Sequence, residues 1–384
     1  MITAVAEDTA KAGHSVTVVT SRRGYNLEET YPERGEYRGV QILRVGGAKL
    51  NRHSFFGRLA NYFSFIFLSA LKLFRLPKAD GLVITSAPPF SLLPASLLKA
   101  FRGTPFVYII EDLYPEIVFA SGMIKPRSVG ARLLSGVFGF FMRQARETIV
   151  LGGYMKWRVS QAHPRLPEAS FHPIDNWQDG ELLYPLPRPA RADSGFCVQY
   201  SGNLGEAHDI ETLAAGMALL AGTDGLRFQF VGRGKRRAEL EKRVQDLKIP
   251  GCLFEDYVPA EKLNESLNQA DLCLVSLAIG YEGLIVPSKI YGIMAVGRPV
   301  LFIGALKGEI PELIRKHSLG WVVEQGDVAA FVRAVQEARS SPALCARYGE
   351  NARRAFDQFY SRGIATAKYI QVFERLQTRP LPKK

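Results

Sequence analysis

A lysine follows a proline and a serine at the start of an apolar segment, in the run Pro287-Ser288-Lys289. Pro287 suits the first turn of a helix, because its missing N–H group costs nothing there. Ser288 and Lys289 then place a hydroxyl, free backbone N–H groups and a positive charge at the helix start. Such a start favours anions. We therefore predict that this segment binds a diphosphate, with an ordinary solvated role for Lys289 as the alternative.

Two glycine-containing loops follow strands predicted in the same half of the chain. Gly202-Asn203-Leu204-Gly205 comes after the strand Phe196–Ser201, and Gly232-Arg233-Gly234-Lys235 comes after the strand Arg227–Val231. Glycine lets backbone N–H groups approach a phosphate closely, and Arg233 and Lys235 add positive charge. Taken alone, the loop Gly202–Gly205 fits an ordinary strand–helix turn better than a phosphate site. Together with Lys289 they favour a phosphate site.

An acidic pair ends the apolar strand predicted at Pro105–Ile110. Asp112 could orient an acceptor hydroxyl or help to remove its proton. Its neighbours Glu111 and Glu116 are further candidates, and any of the three could instead be a helix cap or a surface charge. We predict Asp112 as the catalytic carboxylate.

Strands and helices alternate along the chain, which predicts an α/β fold with two doubly wound, mostly parallel sheets. The stretch 163–194 contains six prolines and is the predicted linker. We predict an acceptor-binding domain at 1–185, a nucleotide-sugar-binding domain at 195–360, and a C-terminal helix and tail at 361–384 that returns to the first domain. Because ligands bind at the carboxyl ends of parallel strands, the two domains should face each other across a cleft.

Several motifs carry a family resemblance that extends over nearly the whole chain. They are Tyr-Ser-Gly-Asn-Leu-Gly (200–205), Phe-Val-Gly-Arg-Gly (230–234), Val-Pro-Ser-Lys-Ile-Tyr-Gly-Ile-Met-Ala-Val-Gly-Arg-Pro-Val (286–300), Ser-Ala-Pro-Pro (86–89) and Glu-Asp-Leu-Tyr-Pro-Glu (111–116). The chain resembles bacterial GT-B glycosyltransferases. The resemblance is greatest to family-four members that build capsule, O-antigen and colanic-acid-type polysaccharides, including the fucosaminyltransferase-like branch.

The resemblance implies a Rossmann-like two-domain enzyme that transfers a sugar with retention of configuration from a nucleotide diphosphate donor, without a metal or other cofactor. It also implies a lipid-linked saccharide as the acceptor, at the inner face of the plasma membrane. The predicted donor-binding residues are Gly202, Asn203, Gly205, Arg233, Lys235, Glu282, Ser288 and Lys289.

Three departures from the family pattern stand out. Met1 falls inside the predicted first helix, so a first strand and its Gly-rich loop are expected to be absent. The second of two glutamates common in the family falls at Gly292, and Glu282 lies near the position of the first. An arginine and a lysine that often hold the diphosphate fall near Asn203 and His208.

The composition points to an anionic partner. Formal net charge is +12, and the segment 55–76 is rich in aromatic residues with basic ends. An aromatic, basic helix suits the interface of an anionic membrane, although a core helix is the alternative. No nucleic-acid motif accompanies the charge, so we expect no nucleic-acid partner. The histidines do not cluster as metal ligands.

Two further functions remain open at this point. The chain could be an enzyme similar to sugar-nucleotide 2-epimerases, which use a similar two-domain frame. It could also be a non-catalytic or degraded homologue, an alternative favoured by the expected lack of the first strand and by Gly292.

Overall fold

The computed structural model describes residues 1–23, 30–48, 50, 55–187 and 195–378. Its strands are β1 (Val16–Ser21), β2 (Arg34–Tyr37), β3 (Val40–Val45), β4 (Leu82–Thr85), β5 (Phe106–Ile110), β6 (Glu147–Val150), β7 (Phe171–Pro173), β8 (Phe196–Ser201), β9 (Leu226–Val231), β10 (Cys252–Glu255), β11 (Leu272–Ser276), β12 (Val300–Gly304) and β13 (Gly320–Glu324).

Helices separate most of these strands. They are α1 (Ile2–Lys11), α2 (Phe55–Arg75), α3 (Leu92–Arg102), α4 (Glu116–Ala120), α5 (Val129–Met142), α6 (Gly153–Ala162), α7 (Glu211–Leu219), α8 (Lys235–Asp246), α9 (Leu263–Asn268), α10 (Lys289–Ala295), α11 (Glu309–His317), α12 (Val328–Ser340), α13 (Pro342–Ala355) and α14 (Arg362–Thr378). No helix in the described part of the chain is both long and apolar enough to span a bilayer.

The strands form three sheets, and the predicted parallel α/β architecture is confirmed. The second half of the chain holds one six-stranded parallel sheet in the order β10-β9-β8-β11-β12-β13. The first half holds a parallel four-stranded sheet, β4-β5-β6-β7, and a three-stranded sheet, β1-β3-β2, in which β2 is antiparallel. Parallel order places the carboxyl ends of the strands of each sheet at one edge.

The local sequence explains several boundaries. β8 and β11 are mostly apolar, and the interior of β8 and all of β11 are buried, as expected of strands covered on both faces. Ser128 caps α5 by accepting a hydrogen bond from Ala131 N at 3.1 Å, and Asp327 caps α12 by accepting one from Ala330 N at 2.8 Å. Such caps satisfy N–H groups that have no partner inside the helix.

The last helix lies against the first half of the chain. Val372 and Leu376 of α14 share a buried cluster with Val5 of α1 and Val107 of β5. At the start of α14, the Arg362 guanidinium binds the carboxylates of Glu7 and Asp8 at 2.8 Å and that of Asp179 at 3.1 Å. The C-terminal helix therefore ties together segments that are distant in sequence.

Two strands lie in stretches whose sequence gives no strand signal. The polar stretch 21–39 contains β2, where every residue of the strand is exposed, so no apolar pattern marks it. β7 falls within the proline-rich stretch 163–194 and adds a fourth strand beside β6. Residues 24–29 and 188–194 of those two stretches, and 379–384 of the predicted tail, lie outside the described residues.

Candidate functional site

The predicted phosphate loops meet at the carboxyl ends of β8 and β9. Gly202 N donates to Val231 O at 2.8 Å, and Leu204 N donates to Arg233 O at 2.8 Å. Arg236 N in turn donates to Leu204 O at 3.0 Å. The two loops are therefore held by main-chain hydrogen bonds into a single surface.

Glycine is required where these loops cross. Gly234 has a φ of +137°, and a Cβ atom there would overlap the backbone of Leu204. Gly232 has a φ of +127°, and its Cβ would overlap the carbonyl of Gly202. Residues with a side chain rarely adopt such a backbone conformation. The glycine pattern is thus explained by the close packing of the two loops.

Lys289 reaches this surface from the start of α10. Its Cε lies 3.5 Å from the position that a Cβ atom would occupy if Gly202 had a side chain. The Nζ atom donates a hydrogen bond to the Tyr200 hydroxyl and lies 3.8 Å from the centre of the Tyr200 ring. Desolvation lowers the pKa of Lys289 to about 7. The half-buried ammonium has no acidic partner among its described contacts, so an anion placed here would stabilise its charged form.

The start of α10 differs slightly from the prediction. The helix begins at Lys289 and spans seven residues, so Pro287 precedes it and Ser288 is its N-cap. The Ser288 side chain makes no capping hydrogen bond and is exposed. The prediction of Pro287 in the first turn is therefore wrong by two positions, because the chain turns at Ser288 before it becomes helical.

His208 supports the site as a neutral group. Its Nδ1–H donates to Ser276 O at 2.6 Å, and its Nε2 lies 3.4 Å from the Tyr200 hydroxyl. Burial and the charge of Lys289 lower the pKa of His208 to about 3. His208 is therefore uncharged near neutral pH, and Lys289 is left as the cation at this point.

The other two predicted cations are exposed and paired. Arg233 makes two hydrogen bonds to the carboxylate of Asp256, at 3.1 and 3.2 Å. Lys235 binds Glu206. Asn203 and Gly205 lie in the loop itself, where the Asn203 carbonyl accepts a hydrogen bond from the Tyr200 hydroxyl at 2.9 Å. Arg233 and Lys235 are near the loops, and each must exchange an acidic partner before it can hold a phosphate.

Glu282 closes the loop that leads to α10. Its carboxylate accepts hydrogen bonds from Gly280 N at 2.9 and 3.0 Å. A Cβ atom on Gly292 would lie 3.4 Å from the side chain of Leu183 and 3.9 Å from that of Gln178. That direction leads into packed side chains of the first half of the chain. Glu282 thus lies on the loop that leads to Lys289, and Gly292 is a packing position.

Asp112 lies on the loop that follows β5. The Ser86 hydroxyl accepts hydrogen bonds from both Glu111 N and Asp112 N at 3.0 Å. Burial raises the pKa of Asp112, and burial with the nearby Asp112 charge raises the pKa of Glu111. Raised values suit carboxyl groups that exchange protons near neutral pH.

A main-chain contact brings the two sides together. Leu113 N, directly after Asp112, donates to Leu284 O at 2.8 Å. Leu284 belongs to the same loop as Glu282, which leads to Lys289. The structure therefore joins the predicted catalytic loop to the predicted donor loop.

Sequence reasoning did not assign roles to Ser86 and Ser276. The Ser276 carbonyl accepts the hydrogen bond from His208 described above. The Ser276 hydroxyl accepts a hydrogen bond from Asp209 N at 3.0 Å. Both serines stand at the carboxyl end of an apolar strand and are buried. A polar residue at that position of a parallel strand was the signal that could have identified them.

Known proteins resemble this chain in sequence. Residues 196–340 match the family model described as "Glycosyl transferases group 1". The chain is 27% identical over 329 residues to the protein named "Probable glycosyltransferase WbjE" of Pseudomonas aeruginosa, covering 81% of this chain and 78% of that protein. It is 28% identical over 167 residues to the protein named "Putative colanic acid biosynthesis glycosyl transferase WcaI" of Escherichia coli K12, covering 43% of this chain and 41% of that protein.

Solved structures share the fold. Sucrose-phosphate synthase from Thermosynechococcus elongatus superposes with a TM-score of 0.76 at 19% identity, covering 98% of this chain and 92% of that one. Anabaena HepE, solved with UDP and glucose, superposes with a TM-score of 0.68 at 15% identity, covering 89% and 87%. The predicted GT-B fold with two Rossmann-like domains is confirmed. The chain therefore has the GT-B fold, matches the group 1 glycosyltransferase model over residues 196–340, and is similar in sequence to glycosyltransferases of polysaccharide biosynthesis.

Proposed function

We propose that this protein transfers a sugar, with retention of configuration, from a nucleotide diphosphate donor to a lipid-linked saccharide during synthesis of a surface polysaccharide. The observation that carries the proposal is the half-buried Lys289 ammonium, which lies against the glycine loop at Gly202. A cation beside close-packed backbone is suited to a diphosphate. HepE, with the same fold, was solved with UDP and glucose.

In the proposed reaction, the bond between the sugar's anomeric carbon and the diphosphate oxygen breaks. The diphosphate leaves with the bonding electrons, and Lys289 stabilises its developing charge. The acceptor hydroxyl oxygen forms the new bond to the anomeric carbon and loses its proton. Asp112, on the opposite loop, orients that hydroxyl or helps to remove its proton. Positioning by the two joined loops supplies the remaining rate enhancement.

The proposed place of action is the inner face of the plasma membrane. A net charge of +12 favours an anionic surface, and a lipid-linked acceptor is held at such a surface. No metal or other cofactor takes part in the proposed reaction. Donor binding that is unchanged by a chelator is the expected result for that part of the proposal.

The first test is calorimetric titration of the full chain with UDP, GDP and ADP. We expect one nucleotide to bind selectively, and its affinity to weaken as pH rises from 6.5 to 8.5. Lys289 has a pKa of about 7 in the free protein, so above that pH it must take up a proton to meet the diphosphate. Proton uptake on binding lowers affinity by up to about tenfold per pH unit.

Lys289→Met should weaken binding and remove this pH dependence. Lys242→Met is the matched control, because Lys242 lies on α8 in an exposed ion pair with Asp246 at 2.7 Å. Unchanged affinity in Lys289→Met would exclude this lysine from the donor site. A folded wild-type protein that binds none of the three nucleotides would contradict the proposed function itself.

A further inference from the structure

Three helices of the first half lie side by side. The Lys99 ammonium of α3 donates to Gln144 O, just after α5, at 2.7 Å. The Arg102 guanidinium of α3 donates to Leu76 O, just after α2, at 2.9 Å. α3 is therefore the middle helix, and the carboxyl-terminal ends of α2, α3 and α5 lie together. We call the exposed surface of these helices the three-helix face.

The three-helix face exposes large apolar side chains from all three helices. Phe101 is 76% exposed, Leu133 is 69% exposed and Phe67 is 63% exposed. The full set is Tyr62, Phe63, Phe67, Leu71 and Phe74 of α2, Leu93, Leu97 and Phe101 of α3, and Val129, Leu133, Val137 and Phe140 of α5. Scattered exposed apolar residues are ordinary, but a run across three adjacent helices marks an interaction surface.

Charge on these helices has a single sign. α2, α3 and α5 hold 21, 11 and 14 residues, and their sequences contain no aspartate or glutamate. Their charged residues are Arg58, Lys72 and Arg75 of α2, Lys99 and Arg102 of α3, and Arg132 of α5. The side chain of Arg58 lies outside the described ones. An apolar surface with only basic charges is complementary to anionic lipid.

The same face borders the cleft. Phe90, in the loop between β4 and α3, stacks on Phe63 of α2 with ring centres 5.8 Å apart. The Phe90 ring also lies against the ring of Phe138 of α5, with ring centres 5.2 Å apart. This loop begins with Ser86, whose hydroxyl accepts hydrogen bonds from the backbone of Glu111 and Asp112. The apolar face and the predicted catalytic loop are therefore neighbours.

We infer that the three-helix face of α2, α3 and α5 docks the protein on an anionic bilayer and presents the cleft at Phe90 to a lipid-linked acceptor. The acceptor part of this inference rests on the proposed function. The apolar side chains enter the region between head groups and acyl chains, while Lys72, Arg75 and Arg132 meet lipid phosphates. Lys99 and Arg102 keep their hydrogen bonds between the helix ends. The committed partner is the lipid surface and not another protein.

The test is sedimentation of the full chain with vesicles of phosphatidylcholine alone or mixed with phosphatidylglycerol. Binding should require the anionic lipid and weaken with added salt. Leu133→Ser should reduce binding by roughly tenfold, as expected from losing the burial of one leucine. Leu219→Ser is the matched control, because Leu219 of α7 is also 69% exposed but lies in the second half. Its vesicle binding should equal that of the wild type.

Three results would overturn the inference. They are no binding to anionic vesicles, equal loss in Leu133→Ser and Leu219→Ser, or a stable dimer that Leu133→Ser converts to a monomer. Nucleotide titration of the same samples separates this inference from the proposed function. Nucleotide binding without vesicle binding contradicts the docking surface alone. Vesicle binding without nucleotide binding contradicts the proposed function and leaves the docking surface supported.

Discussion

The two halves of the molecule build their sheets differently. In the second half, β8 pairs with β9 on one side and β11 on the other, and its residues from Cys197 to Tyr200 are all buried. In the first half, within the described part of the chain, β1 pairs only with β3 and β4 pairs only with β5. Val83 of β4 is 42% exposed.

This contrast indicates which contacts stabilise each half. The predicted phosphate loops extend from the interior of one continuous sheet, so their geometry is set by strand pairing and by close-packed glycines. The first half instead relies on contacts made by other segments, such as α14 against α1 and β5. We therefore expect the second half to be damaged by changes inside its sheet, and the first by changes at these tertiary contacts.

The largest effect should come from Gly234→Ala. The added Cβ meets the Leu204 backbone, and alanine disfavours a φ of +137°. We expect a loss of about 3 kcal/mol or more of unfolding free energy, together with loss of nucleotide binding. Denaturant unfolding and calorimetry measure the two effects.

Gly222→Ala is the matched control for that change. Gly222 also has a positive φ, +79°, but nothing lies within 4 Å of a Cβ atom there. Gly222→Ala should lower the free energy of unfolding by about 1 kcal/mol, because only backbone strain is added, and nucleotide binding should be retained. Equal costs for the two variants would mean that the crossing of the loops contributes nothing.

The next largest effect should be the difference in unfolding free energy between two valine-to-alanine changes. Val198 of β8 is 0% exposed and Val83 of β4 is 42% exposed. We expect Val198→Ala to cost about 2–3 kcal/mol and Val83→Ala less than about 1 kcal/mol, because only the first removes buried methyl groups from between two layers. Hydrogen exchange resolved by peptide assigns each loss to its half. A larger loss from Val83→Ala would reverse the comparison.

The smallest of the three effects concerns Arg362. Burial alone would raise the pKa of Glu7, but hydrogen bonds from Arg362 and Arg38 bring it below its ordinary value. A hydrogen bond from Arg362 also lowers the pKa of Asp8. This stabilisation is present above the ordinary pKa values and is lost as pH falls through the lowered ones.

Arg362→Met should therefore destabilise the first half by about 1–2 kcal/mol at pH 7, since the ion pairs of Arg362 with Glu7 and Asp8 are only partly screened by solvent. The difference from the wild type should shrink as pH falls below the ordinary pKa values of 4.5 for Glu7 and 3.8 for Asp8 and through the lowered ones, where both carboxylates become protonated. Thermal unfolding at several acidic pH values measures it. A difference that does not shrink as pH falls would show that the ion pairs are not the cause.

Much of the framework could be predicted because strands that are covered on both faces carry a plain signal. The bounds predicted for β8 at Phe196–Ser201 are those observed. β2 could not be found, because Arg34–Tyr37 is exposed throughout and is ordered by pairing with β3. β7 was hidden by the surrounding prolines and is defined by its pairing with β6.

The site was predicted in part for a similar reason. Local chemistry indicated Gly202 and Lys289, and the structure brings them together. The contacts of Lys289 with Tyr200, and of His208 with Ser276, depend on the register between separate elements, which local patterns do not encode. The pairing of Arg233 with Asp256 is also a tertiary feature, because the two residues are 23 positions apart.

The hydrogen bond from Leu113 N to Leu284 O has a consequence for divergence among related chains. Because it joins two main chains, its strength does not depend on which side chains occupy positions 113 and 284, provided that neither loop changes shape and residue 113 is not proline. The neighbouring side chains can then change over generations to suit new sugars and acceptors. The alignment of the two loops would be inherited intact.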